Sequence, residues 1–156
     1  MFKKFIILVS IIFSLNSCGY TPIYLNKQDA NFNIVNFELE GDNEINNIIS
    51  NKLKKYFGNN NDKKYKLRVL TNYEKISVAK DTTGKTTNFE LIVNLNLFYS
   101  RIDLADNEKE KMVKLSENII IKRDQNNYEQ NNYERIIVKN MSELLVEKIV
   151  LHLSGS

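Results

Sequence analysis

The clearest pattern in the chain is an alternation. Phe89, Leu91, Val93, Leu95, Leu97 and Tyr99 share one phase, and Glu90, Asn94, Asn96 and Ser100 mark the other. Side chains of a strand point to opposite faces in turn, so this stretch predicts a strand with one buried and one polar face. Such sheets are usually antiparallel and covered on one side. Tyr65, Leu67, Val69, Thr71 and Tyr73 predict a second such strand. Its phase changes at Glu74-Lys75, after which Ile76 and Val78 continue, which reads as a bulge or a bend. Asp81-Thr82-Thr83-Gly84 between the two reads as a hairpin turn. Phe32 to Leu39 alternates imperfectly, with a shift near Val35. A further strand runs from about Met112 to Arg123, with Val113, Leu115, Ile119 and Ile121 on one face.

Two stretches change to helical spacing. Ile45, Ile48, Ile49, Leu53, Tyr56 and Phe57 form one apolar face, with an N-cap offered by Gly41-Asp42-Asn43. Lys52, Lys54 and Lys55 suit the C-terminal end of the dipole, and Gly58 is placed to close the helix. Asn59 to Lys64 and Asp103 to Lys109 read as polar connections, and Asp124 to Gln130 as a break. A last helix over about Tyr133 to Leu153 carries Ile137, Val138, Met141, Leu144, Leu145 and Ile149 in a broad stripe. The order is strand, helix, three strands, helix. It predicts an α+β two-layer sandwich over residues 31–156, with two helices packed on one face of a mostly antiparallel four-stranded sheet. No repeat or second domain is visible.

Residues 1–17 do not belong to that domain. Met1-Phe2-Lys3-Lys4 is a positive start, and Phe5 to Leu15 is apolar apart from Ser10 and Ser14. Polar Asn16 and Ser17 follow. This is the layout of a cleaved secretory signal peptide, and it falls short of the roughly 20 apolar residues of a membrane-spanning helix. An uncleaved anchor is the alternative. Leu15-Asn16-Ser17-Cys18 resembles the bacterial lipobox. That resemblance implies a diacylglyceryl thioether on Cys18, cleavage before it and acylation of the new amino group. One acyl chain anchors only marginally and several anchor firmly. The competing reading, a small buried thiol, is disfavoured because Cys18 ends the leader and does not lie in a periodic segment. A lone cysteine rules out an intramolecular disulfide. Gly19 stands where lipoproteins kept in the inner membrane usually have Asp, so the outer membrane is expected. Residues 18–30, with the only proline, Pro22, read as the lipidated start and a tether.

Removing the leader leaves 156 − 17 = 139 residues, enough for one domain. Two of the 22 Lys and Arg go with it, so 20 cations face 19 acids. A net charge near +1 gives no nucleic-acid footprint. The abundance of Asn, Lys and Ile also follows from a low-GC genome. Candidate chemistry is sparse. Gly84-Lys85-Thr86 resembles the end of a P-loop, but the pattern needs Gly where Ala79 stands, and a strand follows instead of a helix. His152 is the only histidine and lies in a last helical turn. Asp103, Asp106, Glu108 and Glu110 lack calcium-loop spacing. Asn140-Met141-Ser142 matches a glycosylation acceptor inside a helix and is set aside. No metal, cofactor or catalytic constellation is expected. The basic residues are the remaining candidates. Lys63, Lys64, Lys66 and Arg68 cluster at the start of one strand, and Lys80 and Lys85 flank the hairpin tip. They suit either an anionic partner such as a phosphorylated glycolipid or an ordinary solvated rim.

Cys18-Gly19-Tyr20-Thr21-Pro22-Ile23-Tyr24 resembles the mature start of the LPS-assembly lipoprotein family (LptE). The stretch from Tyr128 and Tyr133 through Arg135 to Ile149–Leu153 resembles its C-terminal helix. The resemblance implies a non-enzymatic protein at the outer membrane. It would plug the lumen of the LPS-transport β-barrel LptD, assist its assembly and help deliver lipopolysaccharide to the outer leaflet. Lys66, Arg68, Lys80 and Lys85 are the candidate lipopolysaccharide contacts. The alternatives are an auxiliary lipoprotein of an ABC-type lipid transporter and a periplasmic lipoprotein enzyme.

Overall fold

The computed structural model describes residues 31–102 and 109–156. The leader, Cys18, the tether and the acids Asp103, Asp106 and Glu108 lie outside the described residues. The elements are β1 (Phe32–Gly41), α1 (Asn43–Leu53), a 3-10 turn (Lys54–Tyr56), β2 (Lys63–Lys80), β3 (Thr86–Arg101), β4 (Lys111–Lys122) and α2 (Asn127–Gly155). The sheet order is β1-β2-β3-β4. β1 runs parallel to β2, and the other two pairs are antiparallel. Both helices cover one face, giving the expected two-layer α+β sandwich. Its core joins Phe32 and Ile34, Leu91, Val93, Leu95 and Leu97, Ile45 and Ile49, and Leu145 and Ile149, all at most 1 % exposed.

Local chemistry accounts for most boundaries. The pairing of β1 slips between Ile34 and Asn36, so Val35 points outward and Phe37 and Leu39 return to the core side. This is the expected shift. Asp42 caps α1, its Oδ1 accepting from the N–H of Glu44 at 2.9 Å and of Ile45 at 3.0 Å. Ile45, Ile49 and Leu53 then form its buried row.

Three expectations are corrected. First, α1 does not continue to Phe57. It tightens into the 3-10 turn after Leu53, and Phe57 turns extended to bridge Ile34 and meet the Phe37 ring edge-on at 5.7 Å. Gly58 therefore follows an extended residue, and its N–H is taken by Asn33 Oδ1 at 3.0 Å. Second, β2 keeps its pairing through Glu74-Lys75. The register slips only around Ala79. Lys75 stays on the covered face, opposite Leu91, and Ile76 is an exposed apolar residue on the other face. Third, α2 starts at Asn127, six residues before Tyr133, because Asn126 caps it by accepting from Tyr128 N–H at 3.0 Å.

Candidate functional site

Outside the helix layer, the second face of the sheet is left uncovered by any described element. Alternation carries its polar residues there, and cross-strand pairing aligns them into a ladder. Glu74 Oε1 accepts from Asn72 Nδ2 at 2.8 Å and from Asn94 Nδ2 at 3.4 Å. Asn94 Oδ1 accepts from Ser116 Oγ at 2.8 Å, and Glu90 Oε1 from Asn118 Nδ2 at 2.7 Å. The Asn residues are thus placed by the two-residue period, whatever genome bias supplied them. Nothing in the sequence marked them as one surface, because they come from three strands.

The expected basic residues fall into two groups. Lys66 and Arg68 lie on the uncovered face, opposite Ser100 and Phe98. Arg68 stacks over the Phe98 ring, 4.0 Å from its centroid, and pairs with Glu110 at 3.1 Å. Lys80 and Lys85 flank the hairpin tip. Fourteen residues of strand separate Lys66 from Lys80, about 45 Å at the rise of a strand. The four do not converge on one ligand. Lys63 turns the other way and caps α2, donating to the carbonyl oxygens of Ser154 at 3.3 Å and Ser156 at 2.7 Å.

The hairpin tip is a self-contained turn. Asp81 Oδ1 accepts from Thr83 N–H, the Thr83 hydroxyl and Lys85 N–H at 2.9, 2.6 and 3.0 Å. The Thr83 hydroxyl bond, with these amides and the Lys85 charge, holds the Asp81 carboxyl below its ordinary pKa. A carboxyl lowered in the folded state supports the turn above its unfolded pKa, and that support is lost as pH falls through the folded value. The amide resonances of Thr83 and Lys85 should therefore titrate together, with a midpoint below that of an unstructured aspartate. An ordinary or raised midpoint would contradict this geometry. Gly84-Lys85-Thr86 is the end of this turn and the start of β3, as the hairpin reading expects.

A cleft of about 330 Å³ lies where α1 and α2 begin, lined by Asp42, Glu44, Tyr73, Glu134, Arg135 and Val138. Its charged groups already serve the fold. Asp42 caps α1, Arg135 Nε lies 3.4 Å from Glu44, and Glu134 accepts from Lys75 and Gln130. His152 Nε2 shares a 2.9 Å hydrogen bond with the Tyr99 hydroxyl and packs edge-on against that ring. Among the described residues, no helix is long and apolar enough to cross a membrane.

These features define a small one-sided sheet domain whose uncovered face carries the polar ladder beside exposed Leu70, Ile76, Met112 and Ile120. No protein-family model matches the chain, and no curated protein matches it by sequence. Solved structures do share its fold. Rare lipoprotein B from Shewanella oneidensis superposes with a TM-score of 0.60 at 16 % identity, over 77 % of this chain and 94 % of that one. A minor lipoprotein from Acinetobacter baumannii gives 0.53 at 15 % identity, over 81 % and 92 %. Lipoprotein B from Nitrosomonas europaea gives 0.51 at 13 %, over 81 % and 86 %. The fold is therefore one that bacterial lipoproteins adopt.

Proposed function

We propose that this chain is an outer-membrane lipoprotein that plugs and helps assemble the LPS-transport β-barrel LptD and assists lipopolysaccharide delivery to the outer leaflet. The observation that carries the reading is the uncovered sheet face with its ladder of Asn, Ser and Glu side chains. Barrel lumens are polar, and a sheet face of hydrogen-bonded amides can lie against such a wall. The lipobox before Cys18 and the fold shared with bacterial lipoproteins support it.

The dimensions fit. Four strands span about 14 Å between the outer axes, the helix layer adds about 10 Å, and the eighteen residues of β2 run to about 60 Å. A barrel that encloses such a body belongs to the large class, about sixteen strands or more, that leaves an open lumen.

The test is site-specific photocrosslinking from Asn94, at the centre of the uncovered face, in intact outer membranes. The expected product is an adduct with a large β-barrel, from a chain whose mature N-terminus has the mass of a triacylated Cys18. Depletion of the chain should lower the amount of assembled barrel and of surface lipopolysaccharide. Normal barrel and normal surface lipopolysaccharide after depletion would sink the proposal. Adducts only with inner-membrane transporter subunits would replace it with the auxiliary-lipoprotein reading.

A further inference from the structure

One end of the domain gathers the start of β1, the start of β2, the end of β3 and the last turn of α2. Phe32 pairs with Lys63, Tyr65 pairs with Arg101, and the Tyr65 hydroxyl donates to Leu153 O at 3.1 Å. Tyr56 of the 3-10 turn stacks on Phe32 at 4.9 Å, so Lys54 and Lys55 belong to the same end. This is also where the chain enters from Cys18. Thirteen residues, 19–31, lie between that cysteine and β1. Fully extended, they bridge at most about 48 Å.

Charge is distributed unevenly along the domain. Residues 54–66, at the entry end, carry five Lys and one acid, Asp62, and Arg68, one step further along β2, lies beside Glu38 and pairs with Glu110. Residues 101–111 add three cations and four acids and leave that excess nearly intact. Residues 40–44, further along the sheet where β1 ends, carry three acids and no cation. Lys54, Lys55 and Lys66 are exposed. Exposed apolar residues occur at the same end. Phe57 is 37 % exposed, Leu151 of α2 is 72 % exposed, and Ile102 is 40 % exposed, with its N–H on Lys64 O at 3.0 Å.

We infer that this end docks on the anionic phospholipid headgroups of the leaflet that holds the Cys18 acyl chains. The inference rests on the lipidation reading of Cys18. A basic surface with apolar side chains between its lysines is the composition that binds a charged bilayer interface. The tether enters at that same end, so in a chain not yet inside a barrel the anchor holds the cations near the headgroups and leaves the hairpin tip pointing away. The lipid chains keep the domain at the membrane, and the lysines set its orientation there.

The test uses the full mature lipidated chain in vesicles of phosphatidylcholine, with or without phosphatidylglycerol. A nitroxide is placed at Asn59→Cys or at Thr83→Cys, and its relaxation by a headgroup-bound nickel chelate is read. Added phosphatidylglycerol should raise relaxation at residue 59 severalfold and leave residue 83 unchanged, and high salt should reverse the rise. Each lysine near an anionic leaflet contributes roughly a fivefold factor, so Lys54→Gln, Lys55→Gln and Lys66→Gln together should lower the docked fraction relative to the undocked by about a hundredfold. All three positions are exposed, and an unchanged circular dichroism spectrum shows that the triple variant is folded. A chain that floats with vesicles but responds equally at residues 59 and 83, or ignores phosphatidylglycerol, overturns the docking alone. A chain that fails to float with neutral vesicles overturns the lipidation beneath it.

Discussion

Gly41→Ala is expected to lower the unfolding free energy by about 3–5 kcal/mol, enough to unfold a marginal domain. Gly41 ends β1 opposite Thr71 and has φ +102°. A Cβ there would lie 1.9 Å from Thr71 O and 2.9 Å from Thr71 Oγ1. The clash is with backbone, so no side-chain rotation relieves it, and the positive φ adds about 1–3 kcal/mol of strain. The same Thr71 hydroxyl accepts from Asp42 N–H at 3.0 Å and donates to Asn46 Oδ1 at 2.8 Å. Pushing the strands apart would therefore disturb the cap of α1 as well. Gly84→Ala is the control. Its φ is +84°, but nothing lies within 4 Å of the added carbon. It should cost only about 1 kcal/mol. Urea titration of both variants decides the matter, and equal losses would show that the close approach of β1 and β2 is not what excludes a side chain at residue 41.

The second large effect is expected at Glu134. It is 9 % exposed, with Oε1 accepting from Lys75 Nζ and from Gln130 Nε2, each at 2.5 Å. Gln130 Oε1 in turn accepts from Asp124 N–H at 2.5 Å, and Lys75 Nζ lies 4.2 Å from the centre of the Phe89 ring. Glu134→Ala leaves a buried amide and a half-buried ammonium without their acceptor. Breaking a buried pair costs about 3–5 kcal/mol, and the partial exposure of Lys75 brings the expected loss to about 2–3 kcal/mol. Lys75→Met combined with Glu134→Leu should recover most of it, since apolar replacement of a buried pair is often neutral. A double variant no more stable than Glu134→Ala would mean that the loss comes from packing and not from the stranded charge. Tyr73 supplies an independent reading. Burial, then the Glu134 charge, then the Asp42 charge raise its hydroxyl pKa. A raised phenol favours the folded state at neutral pH, and that contribution is lost as pH climbs through the unfolded and then the folded value. In Glu134→Ala the ultraviolet titration of Tyr73 should move down yet stay above an ordinary tyrosine, because burial is the larger cause.

This network also breaks the match between hydrophobic pattern and burial. Lys75 is polar and sits on the covered face, and Ile76 is apolar and sits on the uncovered one. A two-residue period judged by hydrophobicity therefore inverts at that point, although the backbone register does not. Gln130 and Glu134 are polar on the buried side of α2, so its first turns carry no apolar stripe. Leu144 fits the spacing of that stripe yet is 41 % exposed. The lysine aliphatic stem and its ion pair make the covered position tolerable, and only the opposite helix supplies the partner.

The order of elements, the alternation of β3, the slip at Val35 and the Asp42 cap were all determined by the sequence itself, because each depends on residues within one turn or one strand. The signal for lipidation at Cys18 is equally local. The parallel pairing of β1 with β2 and the sequential strand order were decided by the tertiary structure. So were the tight approach at Gly41, the polar ladder drawn from three strands and the gathering of cations where the tether enters. Each of these depends on which distant residues become neighbours, and that is settled when the two helices and the sheet bury one common core.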